Sequence, residues 1–288
     1  MLKVYSFIND IRYNLLKFVY RSFIIKEING SKMRLYFDDT GIAKNLILHK
    51  RREPFSTQRL KQILSSTDVC LDIGANIGYY ALLEKQIAQK VIAIEPVPQN
   101  LKRLEENIYL NGVTINTYQY GVSDVSGKEK IYFTEKSNLS TFRTPDCKVK
   151  EIIEVPTITL DDLIGLLPQT PTFLRMDVEG YEYKILKGAK KILESGCPLK
   201  MFIELELYIL TPQELDWILK TLQKYNFRVD SLFWETPDMI GLYPLIRLLS
   251  KINKNKILFN QGYVGNSYED IKKSMGKYGW LDCFFIRE

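Results

Sequence analysis

Residues 69–80 read Val-Cys-Leu-Asp-Ile-Gly-Ala-Asn-Ile-Gly-Tyr-Tyr. An apolar run ends at Asp72, and a turn containing Gly74, Asn76 and Gly78 leads into a helical pattern. Two glycines let the backbone turn tightly and approach a ligand closely, and the first amides of the following helix form a weakly positive cradle. Such a turn alone is weak evidence, because strand-end glycines also serve turns that bind nothing. The next strand adds the deciding feature: VIAIEP (91–96) ends on Glu95, where a carboxylate can accept both hydroxyl protons of a ribose. Asp72, Gly74, Asn76, Gly78 and Glu95, in this order on consecutive strand ends, read as a nucleoside site. Asp72 is placed to bind a ligand ammonium directly or through water. The pyrophosphate fingerprint G-x-G-x-x-G is not met, since Asn76 replaces its second glycine and Tyr79 its third.

Outward from this stretch, strand and helix alternate, which argues for an α/β fold with a mostly parallel sheet. A helix is expected through YYALLEKQIAQ (79–89), and another through QNLKRLEENIYLN (99–111) closed by Gly112. INTYQYGV (115–122) fits a third strand. The segment from about 123 to 156 reads as a β-rich insertion, with KEKIYF (128–133) an extra strand. Alternation then resumes with LDDLIGLL (160–167), the strand TFLRMDV (172–178), a helix through YEYKILKGAKKILESG (181–196) and the strand KMFIELEL (200–207). A helix opens at Thr211-Pro212, and FRVDSLFWE (227–235) follows. Residues from about 236 to 280 read as a second insertion containing an apolar helical piece, GLYPLIRLLSKI (241–252). The final strand DCFFIRE (282–288) is expected to pair antiparallel at a sheet edge.

Residues 1–66 read as an N-terminal extension and 67–288 as the main domain. The extension holds an amphipathic helix, strand MRLYFDD (33–39) and a helix around TQRLKQILSS (57–66), with Ser56 or Thr57 as cap. VYSFINDIRYNLLKFVYRSFII (4–25) is interrupted by Asp10, Arg12, Lys17 and Arg21 and has no small-residue cleavage site. It reads as neither a spanning helix nor a signal peptide, and the expected location is cytoplasmic. Its helical spacing suits packing on its own domain or peripheral contact with a membrane surface or partner.

The 288 residues carry 45% hydrophobic and 26% charged residues and a net charge of +6, ordinary values that exclude a disordered or fibrous chain. The basic residues are interspersed with acidic ones, so nucleic acid is not an expected partner. Cys70, Cys147, Cys197 and Cys283 are far apart and His49 is the single histidine, which disfavours a zinc cluster or a thiol–histidine pair. No metal is expected.

Three further strand ends carry chemistry. YGVSD (120–124) offers Ser123 and Asp124 to an adenine edge, or else a surface turn. RMDVEGYE (175–182) offers Asp177, Glu179 and Glu182, with Asp177 and Glu179 the leading general-base candidates. Clustered carboxylates raise one another's pKa, though a charge such as Glu182 at a helix start also answers the macrodipole. FIELEL (202–207) offers Glu204 and Glu206 to an acceptor pocket, one of which is expected to face away. Tyr79 and Tyr80 read as core, and His49, many residues before the first core strand, reads equally as an ordinary surface or core histidine or as a base.

With these residues in place, the sequence resembles the FkbM family of class I methyltransferases through LDIGANIGYY, IEPVPQNLKRLEENIYLN, GVSD, ITLDDL and RMDVEGYE. The resemblance runs from about Ile47 to Phe233 and extends to HKRREPF (49–55), where an acidic residue precedes proline. It implies a Rossmann-like, seven-stranded, mostly parallel sheet with an antiparallel last strand and helices on both faces. It implies S-adenosyl-L-methionine across the carboxyl ends and usually O-methylation of a hydroxyl, here on a small molecule or glycan. By position, Asp72, Gly74, Asn76 and Gly78 would form the methionine-side loop, Glu95 would hold ribose, Ser123 and Asp124 would lie beside adenine, and Asn100 is a further candidate. The alternatives are a non-catalytic nucleoside-binding or membrane-surface module and an NAD-dependent oxidoreductase, the last disfavoured by Asn76 and Tyr79.

Overall fold

The computed structural model describes residues 2–39, 41–134, 140–144, 148–235 and 262–288, with side chains from Phe7 onward. Cys147 and the apolar piece GLYPLIRLLSKI lie outside them.

The chain opens with α1 (Leu2–Tyr20), the hairpin β1 (Phe23–Ile28) and β2 (Ser31–Tyr36), then α2 (Ile42–His49) and α3 (Pro54–Ile63). The alternating unit follows as β3 (Val69–Ile73), α4 (Tyr79–Lys85), β4 (Lys90–Ile94), α5 (Pro98–Asn111) and β5 (Asn116–Tyr118). The β-rich insertion supplies β6 (Gly121–Ser123), β7 (Gly127–Thr134), β8 (Ser140–Thr141) and β9 (Val149–Thr159) and leads into α6 (Leu160–Leu166). The rest is β10 (Phe173–Met176), α7 (Glu182–Lys187), α8 (Lys190–Glu194), β11 (Leu199–Leu205), α9 (Pro212–Lys224), β12 (Arg228–Phe233), β13 (Tyr263–Gly265), α10 (Tyr268–Ser274) and β14 (Leu281–Arg287).

The main sheet runs β13-β12-β14-β11-β10-β3-β4-β5, eight strands among the described residues rather than the seven expected. The eighth is the short β13, formed within the second expected insertion. Strands β5, β4, β3, β10 and β11 run parallel, while β14 is antiparallel to both β11 and β12. The last strand is thus antiparallel as expected but interior rather than at an edge. Its residues are apolar on both faces, Leu281, Cys283 and Phe285 on one and Phe284 on the other, so only a central position buries it.

Strand alternation divides the core in two. Leu71, Ile73, Ile92, Ile94, Leu174, Met176, Met201 and Ile203 face one cluster under α7 to α9. Cys70, Val91, Ala93, Phe173 and Phe202 face another, which includes Ile24, Met33, Leu35 and Leu46 of the N-terminal segment. A fully buried side chain of this size contributes about 1.5–3 kcal/mol, and here the extension and the sheet share that burial. Hydrogen bonds reinforce the junction: Asn107 on α5 accepts from Arg34 N–H at 2.7 Å and donates to the Ile77 carbonyl at 2.9 Å.

Several local expectations change for identifiable reasons. The expected strand 115–122 divides at Gln119 and Tyr120, because β5 pairs with β4 whereas β6 joins a separate four-stranded sheet of order β6-β9-β7-β8. The expected helix 181–196 breaks at Gly188, where a Cβ would lie 2.3 Å from the Ser123 carbonyl oxygen. Helix α3 begins earlier than expected, at Pro54 with Glu53 as N-cap, so Ser56 and Thr57 lie inside its first turn. No Glu53 side-chain cap is made; the Glu235 carboxylate beyond β12 instead accepts from the amides of Phe55 at 3.0 Å and Ser56 at 2.9 Å. Helix α2 was not anticipated.

Gly78 shows how tightly the first turn is packed: at φ +92° its Cβ would lie 2.6 Å from Leu104 Cδ1 on α5. Gly78→Ala is therefore expected to lower the unfolding free energy by about 1–3 kcal/mol in urea titrations. An unchanged midpoint and slope would show that the turn relaxes freely.

Candidate active site

A cleft of about 330 Å³ opens beyond the carboxyl ends of β3, β4, β10 and β11. Open α/β sheets bind ligands on this side. Its floor is Ile73 and Gly74; Glu95 and Asn76 stand on one side, and Asp177, Glu179, Glu204 and Glu206 on the other. Ile42, Asn45, Arg52 and Glu53 of the N-terminal segment and Ile131, Ser140 and Phe142 of the second sheet complete the wall.

Gly74 and Ala75 donate to the Ile94 carbonyl at 2.9 and 3.0 Å, tying the turn to β4. At Gly74 (φ +81°) a Cβ would lie 2.0 Å from the Asp177 carbonyl oxygen, so only glycine lets the β3 and β10 loops meet. Asn76, at φ 51°, turns its amide onto Glu95 Oε2 at 2.8 Å, while Val97 N–H donates to Oε1 at 3.0 Å and Asn100 Nδ2 approaches it at 3.4 Å. Oε2 retains capacity for another donor, whereas Oε1 already accepts from both Val97 and Asn100. Burial raises the Glu95 carboxyl to about 7, opposed by the Val97 and Asn76 amides.

Under the turn, Arg175 spans two strands. Its Nη1 meets Asp72 Oδ1 at 2.9 Å and its Nη2 meets Asp177 Oδ2 at 2.7 Å, with the guanidinium 4.1 Å from the Tyr80 ring centre. Burial opposes the charge on Arg175, yet Asp72 and Asp177 hold its pKa up. Burial raises Asp72 and Arg175 counters it.

Arg52 meets Glu53 in an ion pair and lies 3.8 Å from both Asp177 and Glu204. Two tyrosines steady this segment: Tyr79 donates to the Arg52 carbonyl and Tyr80 to Glu53 Oε2, each at 2.6 Å. Both rings are buried, as expected of core residues. Glu179, in the left-handed region at φ 52°, has its carbonyl held by Thr141 Oγ1 at 3.0 Å. The following Gly180 is gripped by Arg143, whose Nε donates to its carbonyl at 2.6 Å. Burial and then Asp177 push Glu179 up to about 8, against the pull of Arg52. Burial and the Glu179 charge push Glu206 up to about 10, and Glu204 rises well above the carboxylate range by burial and by Asp177.

The structure thus brings Gly74, Asn76, Glu95, Asp177 and Glu179 to one cleft, with Asn100 at its margin. Other expected site residues stand elsewhere. Asp72 is wholly buried on Arg175, one residue short of the end of β3, and lies beneath the cleft rather than lining it. Gly78 packs on Leu104. Ser123 is buried and donates to Glu129, and Asp124 faces Lys184 and Lys187 at 3.7 and 3.5 Å. At that corner Tyr120, Gly121 and Val122 line the cleft in their place. Glu182 is buried behind the loop, accepting from the Gly180 amide at 3.0 Å, and its carboxyl rises to about 8 through burial. Glu204 near the end of β11 and Glu206 just past it both line the cleft; neither faces away. His49 ends α2 and is not among the lining residues.

The Methyltransferase FkbM domain family matches residues 72–229, more than half of the chain. The chain belongs to the FkbM methyltransferase family. Hexuronic acid methyltransferase AglP of Haloferax volcanii is 35% identical over 130 residues, covering 44% of this chain and 52% of that protein. The chain therefore spans about half the length of this curated relative. Among solved structures, the FkbM methyltransferase from Methylobacillus flagellatus overlaps 77% of this chain and 44% of its own, at 20% identity and a TM-score of 0.44. Methanocaldococcus jannaschii Trm5, solved with adenosine, overlaps 93% and 56%, at 14% identity and a TM-score of 0.46.

The family match begins at Asp72, so Arg52 and Glu53 precede it while lining the same cleft. The Glu53-Pro54 dipeptide was the available signal, and it carries the contact to Tyr80. Glu235, Tyr208 and Trp280 also reach the cleft, from the segments after β12, after β11 and before β14, with no local pattern that announces them. Among the described residues no group of acidic, histidine or cysteine side chains could hold a metal.

Removing Arg175 strands two carboxylates, one of them wholly buried. Arg175→Met is expected to cost about 3–5 kcal/mol of folding stability by denaturant titration. A loss below about 1 kcal/mol would mean that Asp72 and Asp177 do not need the guanidinium.

Proposed function

We propose that this FkbM methyltransferase moves a methyl group from S-adenosyl-L-methionine to a hydroxyl of a sugar-containing acceptor. The observation that carries the reading is the Glu95 carboxylate, fixed by the Asn76 and Val97 amides beside Gly74, with Oε2 open to a further donor and Oε1 shared only with the long Asn100 contact at 3.4 Å. A ribose diol supplies two donors, one to Oε2 and one that takes the place of the Asn100 amide on Oε1. Gly74 leaves room for close backbone approach. Bound there, the cofactor would supply an electrophilic methyl group.

The chain's own residues then have three tasks. The turn and Glu95 hold the nucleoside. The wall formed by Ile42, Ile131 and Phe142 limits water, and alignment of acceptor and methyl supplies much of the rate. Glu179, half-buried and raised to about 8, takes the hydroxyl proton. Asp177, committed to Arg175 and near Arg52, positions these groups instead of acting as base. Glu206, raised to about 10, is protonated near neutrality and donates a hydrogen bond to the acceptor.

A sugar acceptor is supported by the mix of aromatic and acidic side chains on that side of the cleft, Tyr208 and Trp280 beside Glu204, Glu206 and Glu235. Rings offer apolar faces to a sugar's C–H surface, and the acids address its hydroxyls. The partial likeness to a hexuronic acid methyltransferase points the same way.

Transfer of labelled methyl from S-adenosyl-L-methionine to a panel of uronic acids and neutral hexosides tests this reading. Label on a sugar oxygen is expected. Cofactor binding with no transfer to any sugar would reduce the chain to a nucleoside-binding module. Replacing Glu95 with Gln should weaken S-adenosylhomocysteine binding about 10–100-fold in calorimetry, the effect of losing charge-assisted hydrogen bonds.

The pH dependence has a definite sign. Ribose hydroxyls bind ionised Glu95, so affinity should rise as pH climbs through about 7. The free protein behaves oppositely. A carboxyl raised above its ordinary value of about 4.3 stabilises the fold at low pH, and that contribution is lost between there and about 7. The methyl-transfer rate at saturating substrates should rise through about 8 and lose this step in Glu179→Gln. A flat wild-type profile measured on the chemical step would remove Glu179 as base.

A further inference from the structure

Helix α1 is apolar on two sides, and the core accounts for one. Tyr13 is 5% exposed, donates to the Phe37 carbonyl at 2.9 Å and packs on the Phe37 ring at 5.5 Å, with Leu16 against the same cluster. Away from this anchor stand Phe7, Ile8, Ile11, Leu15, Phe18 and Val19, between 48% and 82% exposed. At about 100° per residue these six fall within an arc of roughly 120°, a continuous stripe along the helix rather than scattered positions. Contiguous exposed apolar surface of this kind marks an interaction site.

Charge around the stripe identifies what it meets. Arg12 flanks one edge and Lys17 lies on the other side, with Arg21 just past the last turn, all exposed. The acid on this helix among the described side chains, Asp10, is taken up by Lys44 at 2.9 Å. A two-fold contact with a second copy would bring the basic flanks together. A surface of anionic headgroups over acyl chains satisfies stripe and flanks at once, with long basic side chains reaching the headgroups while the rings enter the boundary. No helix among the described residues is long and apolar enough to cross a membrane, so such contact is peripheral.

We infer that the outward face of α1 docks the protein on an anionic lipid surface. The helix lies flat, with Phe18, Leu15 and Ile11 in the acyl boundary and Arg12, Lys17 and Arg21 at headgroup level. The docking is separate from the cleft, whose lining begins with α2, and holds whether or not the chain methylates sugars.

Sedimentation of the full chain with vesicles tests it. Binding is expected to vesicles of equal parts phosphatidylcholine and phosphatidylglycerol, weaker on phosphatidylcholine alone and at high salt. The double variant Leu15→Asp, Phe18→Asp should lose at least about tenfold in vesicle affinity. Lys17→Glu with Arg21→Glu should lose the preference for anionic lipid. Unchanged S-adenosylhomocysteine affinity, or an unchanged thermal transition should that ligand not bind at all, certifies that the variants are folded. Failure of the wild type to sediment with anionic vesicles, or equal sedimentation of the Asp variant, would overturn the inference. So would a vesicle-free dimer that the Asp variant converts to monomer without any lipid binding, which would assign the stripe to a second copy.

Discussion

Arg175 lies in the middle of the sheet, its guanidinium inside the protein between Asp72 on β3 and Asp177 at the end of β10. The parallel register sets Arg175 opposite Asp72 on one neighbour and Phe202 on the other, so one row holds the cation, its partner and a ring beneath it. A buried ion pair is costly to form, and losing one partner is costlier than never having the pair. The two parallel strands that carry the cleft are therefore bound in one register. Gly74 can touch the Asp177 carbonyl because that register brings the two loops together.

From this constraint the electrostatics of the cleft follow. Once Arg175 occupies Asp72 and engages Asp177, and Arg52 faces Glu53, Asp177 and Glu204, little positive charge is left to balance Glu179 and Glu206. Their carboxyls rise, one to a value that suits a base slightly above neutrality and the other to one that suits a hydrogen-bond donor. Divergent environments for neighbouring acids divide acid and base roles. Glu95 is separate from this group, its ionised form served by backbone amides.

Much of this was legible in the sequence wherever the information was local. VCLDIGANIGYY and VIAIEP show their strands by apolar runs and their turn by glycine, and Glu95 falls where a strand must end. Asp72 shows the limit. Strand-end position suggests a ligand contact, but the cation that claims Asp72 lies 103 residues away. Ser123 and Asp124 were expected at the cleft, but Glu129 of the second sheet takes the Ser123 hydroxyl, and Lys184 and Lys187 of α7 face Asp124. Arg52, Glu235, Tyr208 and Trp280 come together only through tertiary packing, so no spacing rule could join them. The interior place of β14 was foreshadowed only by its lack of a polar face.

On the function proposed, Glu95 and not Asp72 is the acid that holds the nucleoside of S-adenosyl-L-methionine. A crystal structure of the protein soaked with S-adenosylhomocysteine tests it most directly. The account predicts both ribose hydroxyls on the Glu95 carboxylate, the Asn76 and Val97 amides still in place, and Asp72 still paired with Arg175. A nucleoside bound away from Glu95, or an Asp72 side chain released from Arg175 to meet the ligand, would contradict it.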